Sequence, residues 1–374
     1  MNMSTLNNKI VTIIQSRTDS KTIPKKIYSD IEGKPMLWHV INRTKKIQAN
    51  ELVVATTKRK IDDEIVKIAK ESSIKYFRGK SNDVLDRYYQ TAKKFGANII
   101  IRITADCPLI DPIESNKVLK KFLTGNYDYT SNDQKTYPHG IDTECFSFQA
   151  LKEAWKHAKS KSEREHITLY FWKQPKKFKI GIVKNKKVLG YQRWVVDHKE
   201  DLDFVKRVYS KLYKENTIFS MNDVINLGIR NSTIDLKPVT KKDCKFLYQL
   251  LAEREPKMYI SHSRMPAYQD HVKFVMSHPY AKWYIIYKNK EKVGSIYLSK
   301  QNEIGLFIKK NKKNQGIGSN ALRMLFELDP RPRYFANINF RNVKSVKFLT
   351  KNFFSPLVHT YELKLPLNLR DLKQ

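Results

Sequence analysis

The stretch that most restricts how this chain folds is VTIIQSRTDSKTIPKK, residues 11–26. Its apolar run, Val11 to Ile14, reads as a buried strand that breaks abruptly into a polar, turn-prone loop with basic residues on both sides of Pro24. In an open α/β domain the loop after the first strand commonly presents phosphate-binding groups. The loop has no GxxxxGK(S/T) pattern, and no glycine occurs before Gly33. Its anion donors are therefore backbone N–H groups together with Arg17, Lys21, Lys25 and Lys26.

Strand and helix patterns alternate beyond it. Helices are expected over 36–46, 61–72 and 84–95, and strands over 51–55, 74–77 and 98–103. That alternation predicts a mostly parallel sheet covered on both faces. Asp106 stands at the carboxyl end of one strand and Asp111 follows a Pro108 turn. A lone carboxylate at such a place needs a partner, and a hard cation such as Mg²⁺ is one solution; a helix cap is the other. Asp142 and Glu144 alternate, so in a strand both would line one face and suit sugar hydroxyl or amino groups, or a solvated strand edge. Residues 193–197 (RWVVD) read as a further strand ending in Asp197, with Asp201 placed to cap the next helix. Strand ends in a doubly wound sheet share one rim, which would bring Asp106 and Asp197 together.

Five segments, QSRTDSKTIPKK, RITADCPLID, PHGIDTE, SEREHITLYF and RWVVDHKEDL, resemble in order the sugar nucleotidyltransferases related to CMP-sialate and CMP-KDO synthetases, nearest to the spore-coat polysaccharide branch. The resemblance spans residues 9 to about 235. It implies a Rossmann-like nucleotidyltransferase sheet, an NTP substrate (CTP for preference) and Mg²⁺ held by Asp106 and Asp197. It implies nucleotide contacts from Gln15, Ser16, Arg17, Lys21, Lys25, Lys26, Arg102 and Thr104, with Arg17 and Lys26 acting in catalysis. Asp142, Glu144 and His166 would face the acceptor sugar. From composition alone His166 reads as a hydrogen-bonding structural histidine. The loop departs from the family pattern at Asp19 and Lys25, each in place of glycine, and at Thr22 in place of an arginine.

The chain has 374 residues, 71 Lys and Arg against 37 Asp and Glu, and a formal net charge of +34. Such a field attracts anions, phosphorylated small molecules among them. Lysine is spread throughout rather than gathered in one stripe, and no helix-turn-helix, zinc-finger or aromatic–basic RNA module occurs, which disfavours a specific nucleic-acid binder. No run of about 18 apolar residues supports a membrane span. Cys107, Cys145 and Cys244 are too far apart for a zinc site or a disulfide framework, and the N-terminus lacks a signal segment, so a reducing cytoplasm is expected.

The pattern changes past residue 226. Residues 226–238 read as a linker or domain tail, and 240–253 as a helix. Residues 283–287, 292–298 and 303–308 read as an antiparallel meander. The turn KNQGIG, 313–318, then opens a helix whose first N–H groups can face phosphate. This turn, with NVKSVKF at 342–348, resembles the GCN5-related N-acyltransferases. That implies an α+β domain binding acetyl-CoA or another acyl-CoA through Ile308, Lys313, Gln315, Gly316, Ile317, Gly318, Asn342 and Ser345. Phe348 replaces that family's frequent tyrosine, a candidate general acid. Glu303 is the best-placed base, and a solvated turn residue is an equal reading.

Two domains are therefore expected, 1–235 for nucleotidyl transfer and 236–374 for acylation of an amino sugar. A chain in which only one domain is active, the other serving as a sugar-binding or scaffold module, is the alternative. Base, sugar, acyl group and homo-oligomeric state stay open.

Overall fold

The computed structural model describes residues 8–19, 23–187, 189–190, 192–215, 217–229, 234–254, 265–339, 342–352 and 354–357. The chain divides into two compact units, Met1–Thr233 and Ile234–Gln374.

The first unit begins with β1 (Ile10–Gln15), a small hairpin β2 (Asp30–Ile31) and β3 (Lys34–Pro35), and α1 (Met36–Thr44). Next come β4 (Glu51–Thr57), α2 (Asp63–Glu71), β5 (Lys75–Gly79), α3 (Val84–Lys94), β6 (Ile99–Thr104) and α4 (Pro112–Gly125). It continues through β7 (Tyr129–Asn132), β8 (Glu144–Ser147), α5 (Phe148–His157), α6 (Lys161–Glu165), α7 (Leu169–Lys173) and β9 (Ile180–Val183) to α8 (Lys199–Leu212) and α9 (Met221–Asn226). The sheet runs β5-β4-β1-β6-β8-β7-β9. β1 pairs in parallel with β4 and β6, and β4 with β5, whereas β8 is antiparallel to both β6 and β7. The sheet is therefore mixed: its parallel half carries β1, and a reversed strand follows.

Period-2 alternation sends Val11 and Ile13 of β1 to a core shared with α3 and α5, and Ile14 to a core shared with α1, α2, α4 and α8. These side chains are fully buried, and each contributes about 1.5–3 kcal/mol. Two faces covered at once explain why β1 reads as an apolar run broken only by Thr12.

The second unit is α+β. β10 (Ile234–Pro238), β11 (Lys282–Lys288), β12 (Glu291–Leu298) and β13 (Ile304–Ile308) form an antiparallel sheet in that order. α10 (Cys244–Ala252) and α11 (Tyr268–Met276) precede β11, and α12 (Ile317–Leu328) and α13 (Val343–Lys351) follow β13. Ile286, Ile296 and Leu298 pack with Leu322 and Leu325 of α12, while Ile285 joins Leu247 and Val275 on the other face.

Three local expectations change. Residues 234–238, read as part of a linker or domain tail, form edge strand β10, whose Ile234 and Leu236 are buried while Asp235 and Lys237 are exposed. The polar, turn-rich composition of 226–238 hid it, and its final Pro238 is tolerated on an edge. Residues 193–197 are not a strand; Arg193 makes one isolated bridge to His139. Residues 334–339, which in sequence read as a strand, likewise make a single bridge, Phe335 to Glu303. Among the described residues no helix is long and apolar enough to cross a membrane.

Candidate active site

The loop after β1 turns back through Lys25, whose backbone is left-handed at φ 55°, into a short 3-10 helix starting at Lys26. That turn delivers the Lys26 ammonium to three oxygens. Nζ lies 3.3 Å from Asp106 Oδ2, 3.0 Å from Asp197 Oδ1 and 2.6 Å from the carbonyl of Val196. Burial pulls the Lys26 ammonium down, but the two carboxylates outweigh it and hold its pKa above the ordinary lysine value. Burial likewise pushes Asp197 up, and Lys26 and Arg193 more than reverse it, so its pKa falls below the usual carboxylate value.

Backbone contacts bring the two aspartates together across 91 positions. The Val196 N–H donates to the Asp106 carbonyl at 2.9 Å, and the N–H groups of Trp194 and Val195 donate to the His139 carbonyl at 2.6 and 3.1 Å. The latter contact requires Gly140: a Cβ there would stand 2.3 Å from Val195 N and 2.5 Å from the Trp194 carbonyl carbon. Arg193 Nη2 holds the outer oxygen of Asp197 at 2.5 Å. Asp201 accepts from the N–H groups of Asp197 and His198, both at 2.9 Å, so it caps α8 as expected. Asp111 is the cap of α4 and also accepts from Met221 N at 2.6 Å.

Further along the rim, Arg17 Nη2 reaches Glu165 at 3.0 Å. The Thr18 N–H donates to buried Asp62 at 2.8 Å, and the Thr57 hydroxyl donates to the same carboxylate. Gln15 Oε1 and Ser16 Oγ are buried without a hydrogen-bond partner among the described residues. Lys25 is exposed, and Lys21 and Thr22 lie outside the described residues.

Other candidates take places of their own. Arg102 and Glu144, assigned to nucleotide and sugar respectively, pair with each other, and the Tyr129 hydroxyl donates to Glu144 at 2.6 Å. Thr104 Oγ1 lies 3.2 Å from Cys107 Sγ. Glu144 opens β8, but Asp142 precedes the strand, so the two do not alternate along one face. Asp142 accepts from Gly140 N at 2.9 Å and lies 3.7 Å from His139 Nε2. Burial raises its pKa although His139 opposes the shift. His166 is exposed at the end of α6, next to the Glu165 that holds Arg17. Sequence reading missed Arg59, Asp62, His139 and Arg193. Arg193 carried a signal, since it sits four residues before Asp197 in the RWVVD segment.

Two hard carboxylates directed at one cation fit a divalent metal. Among the described residues no cluster of three or more His, Cys, Asp or Glu occurs, so phosphate oxygens and water would complete the coordination.

In the second unit Gly316 caps α12 with φ 73°. Ile308 ends β13, Ile317 is buried, and Lys313 is extended before the turn. Gln315 Oε1 accepts from Lys288 Nζ at 3.1 Å. Asn342 caps α13 by accepting from Ser345 N at 3.1 Å, and Glu303 accepts from Asn337 Nδ2 at 2.8 Å. Gly318 lies within α12, where an added Cβ would meet the Phe348 ring at 3.1 Å.

A loop lysine clasped by two aspartates on a mixed α/β sheet is an arrangement suited to nucleotidyl transfer. The chain matches the cytidylyltransferase family over residues 11–225 and belongs to it. It is 35% identical over 225 residues to an uncharacterized protein of Methanocaldococcus jannaschii, covering 59% of this chain and 88% of that one. It is 26% identical over 232 residues to the spore coat polysaccharide biosynthesis protein SpsF of Bacillus subtilis, covering 60% and 95%. The structure of a cytidylyltransferase from Leptospira borgpetersenii aligns with TM-score 0.57 and 32% identity over 59% of this chain and 94% of that one. The family match stops at residue 225, and the α+β fold of the second unit is not specific to acyltransferases.

Proposed function

We propose that the first unit transfers a cytidylyl group from CTP to a sugar acid or sugar phosphate in nucleotide-sugar synthesis for polysaccharide. The observation that carries this reading is the convergence of Lys26, Asp106 and Asp197 just beyond the carboxyl end of β6. An acceptor oxygen attacks the α-phosphorus, the bond from that phosphorus to the bridging oxygen breaks, and pyrophosphate leaves with its electron pair. Lys26 and Arg17 neutralise the phosphates, and Arg193 orients Asp197. Asp106 and Asp197 would hold Mg²⁺, which when bound supplies Lewis-acid stabilisation of the transferring phosphoryl group. Preorganised charge of this kind is worth about 10²–10³ in rate per group. Asp142, with His139 beside it, is the group assigned to the acceptor sugar. The relatives' names, a cytidylyltransferase and a spore coat polysaccharide protein, support the base and the pathway class.

For the second unit we propose acyl-CoA-dependent acylation of an amino sugar. The support is the glycine turn that opens α12 and the Asn342-capped helix behind it. Glu303 is the base in this reading.

The test is pyrophosphate release from each NTP with Mg²⁺ and a panel of sugar acids and sugar 1-phosphates. Asp106→Asn and Asp197→Asn should each abolish release without altering the circular dichroism spectrum. Wild-type turnover in either variant removes that residue from the metal set.

A further inference from the structure

Asp19 stands between two guanidinium groups that come from different strand ends. Arg59, just beyond β4, meets it with both terminal nitrogens: Nη2 is 2.8 Å from Oδ1 and Nη1 is 3.0 Å from Oδ2. Arg17, just beyond β1, brings Nε to 3.6 Å from the same Oδ1. Arg59 closes a two-nitrogen fork on the carboxylate while Arg17 adds a second positive charge beside it through Nε alone, and a guanidinium fork of this kind is how arginine holds a carboxylate or a phosphate.

The surroundings favour an exchangeable anion at this point. Asp19 is half exposed, and both arginines are more than a third exposed, so the clasp is of the surface kind and weak. A third guanidinium, Arg87, is fully buried, with Nε and Nη2 unpartnered among the described residues. It lies within electrostatic reach of Tyr88, Arg17, Glu165 and Asp62. The opposing acids are already engaged. Asp62, 3.4 Å from Arg59, is bound by Thr57 and Thr18, and Glu165 is held by Arg17. A phosphate carries more charge than Asp19 and offers more acceptor oxygens, so it is the stronger partner for the Arg59 fork and the Arg17 charge beside it.

We propose that Arg59, together with Arg17, binds phosphates of the nucleoside triphosphate, and that Asp19 occupies their place in the unloaded enzyme until the nucleotide displaces it. This rests on the NTP reading above. It adds a phosphate ligand from the end of β4 and a built-in competitor that lowers affinity for anions.

Titration calorimetry on the full chain, with CTP and separately with inorganic pyrophosphate, tests it. Arg59→Ala should weaken both by tenfold or more, and Arg59→Lys should recover part of the loss. Asp19→Asn should tighten both by about fivefold, the scale of one exposed ion pair. A merely structural role for the pair predicts the reverse sign for Asp19→Asn, since breaking the clasp would loosen the loop. Thermal melts confirm that each variant is folded. If wild type binds CTP while Arg59→Ala and Asp19→Asn bind it equally well, the clamp is wrong and the nucleotide reading stands. If wild type binds neither CTP nor pyrophosphate, both are overturned.

Discussion

Arg102 of β6 and Glu144 of β8 form an ion pair across neighbouring antiparallel strands, with the Tyr129 hydroxyl closing on the far oxygen of the carboxylate. The register places the two residues directly opposite each other. Arg102 is pushed down by burial, yet Glu144 reverses the effect and holds the guanidinium above its ordinary value. The pair therefore stabilises the sheet whatever contact either residue makes with substrate. Glu144→Ala should leave an unpaired, largely buried guanidinium and cost about 3–5 kcal/mol. The double change Arg102→Met with Glu144→Leu should restore most of that. Scanning calorimetry measures both. A Glu144→Ala protein that melts like wild type but loses acceptor affinity would return Glu144 to the sugar side.

Gly140 governs the separation of Asp106 and Asp197 without touching either. Its φ of 116° and its contact with the backbone of Trp194 and Val195 leave no room for a Cβ. Gly140→Ala must push residues 194–195 away, and the Val196–Asp106 bond that aligns Asp197 lies one residue further. Turnover should fall at least tenfold while the helical signal is retained. Unchanged turnover would mean that the 193–197 segment has slack that the packing does not show.

How much of this was legible in sequence follows from what each residue depends on. β1 was legible because both its faces are buried, which leaves a run that is apolar but for Thr12. Asp106 and Asp197 were legible because each follows a distinct apolar run, although the second run, 193–197, is held by turns and backbone bonds rather than by a strand. The Arg102–Glu144 pair was hidden, since it depends on β8 running antiparallel to β6, a pairing no local pattern reports. Asp142 was misplaced for a related reason: its carboxylate folds back onto the Gly140 N–H just before the strand begins. Arg59 gave no signal beyond its charge, and only the folded rim brings it to Asp19. Strand β10 was lost in the polar, turn-rich stretch 226–238.

The loop anchor predicts an acid limb. Asp62 is buried, which raises its pKa, but hydrogen bonds from Thr57 and Thr18 and the Arg59 charge outweigh burial and hold it below the ordinary value of 3.8. A group with a depressed native pKa contributes stability that is fully present above its unfolded value and is lost as pH falls through the native one. The melting difference between wild type and Asp62→Asn should therefore be constant above about pH 5. It should shrink steadily as pH drops below 3.8. Other carboxylates titrate in both proteins and cancel in the difference. A gap that stays constant down to pH 2 would show that Asp62 is not the group anchoring Thr18.

The two glycines of the second unit separate coenzyme binding from packing. Gly316 has φ 73°, and a Cβ there would meet nothing within 4 Å, so the space before α12 is open. Gly318 faces the Phe348 ring at 3.1 Å and Leu306 at 3.2 Å, so it lets α13 approach α12. In the acyl-CoA reading, Gly316→Glu sets a negative charge against the pyrophosphate at the helix N-terminus and should abolish acetyl-CoA binding. Its stability should fall only by what a side chain in the left-handed region costs, about 1–2 kcal/mol. Gly318→Ala should instead lower the melting temperature by crowding Phe348, and adding Phe348→Leu should recover it. Calorimetry of the full chain with acetyl-CoA, alongside thermal melts, measures both responses. Nucleotidyl transfer should persist in Gly316→Glu, because the family match ends at residue 225. A folded wild-type chain with no affinity for acetyl-CoA would end the acyltransferase reading and leave Gly318 with the packing role alone.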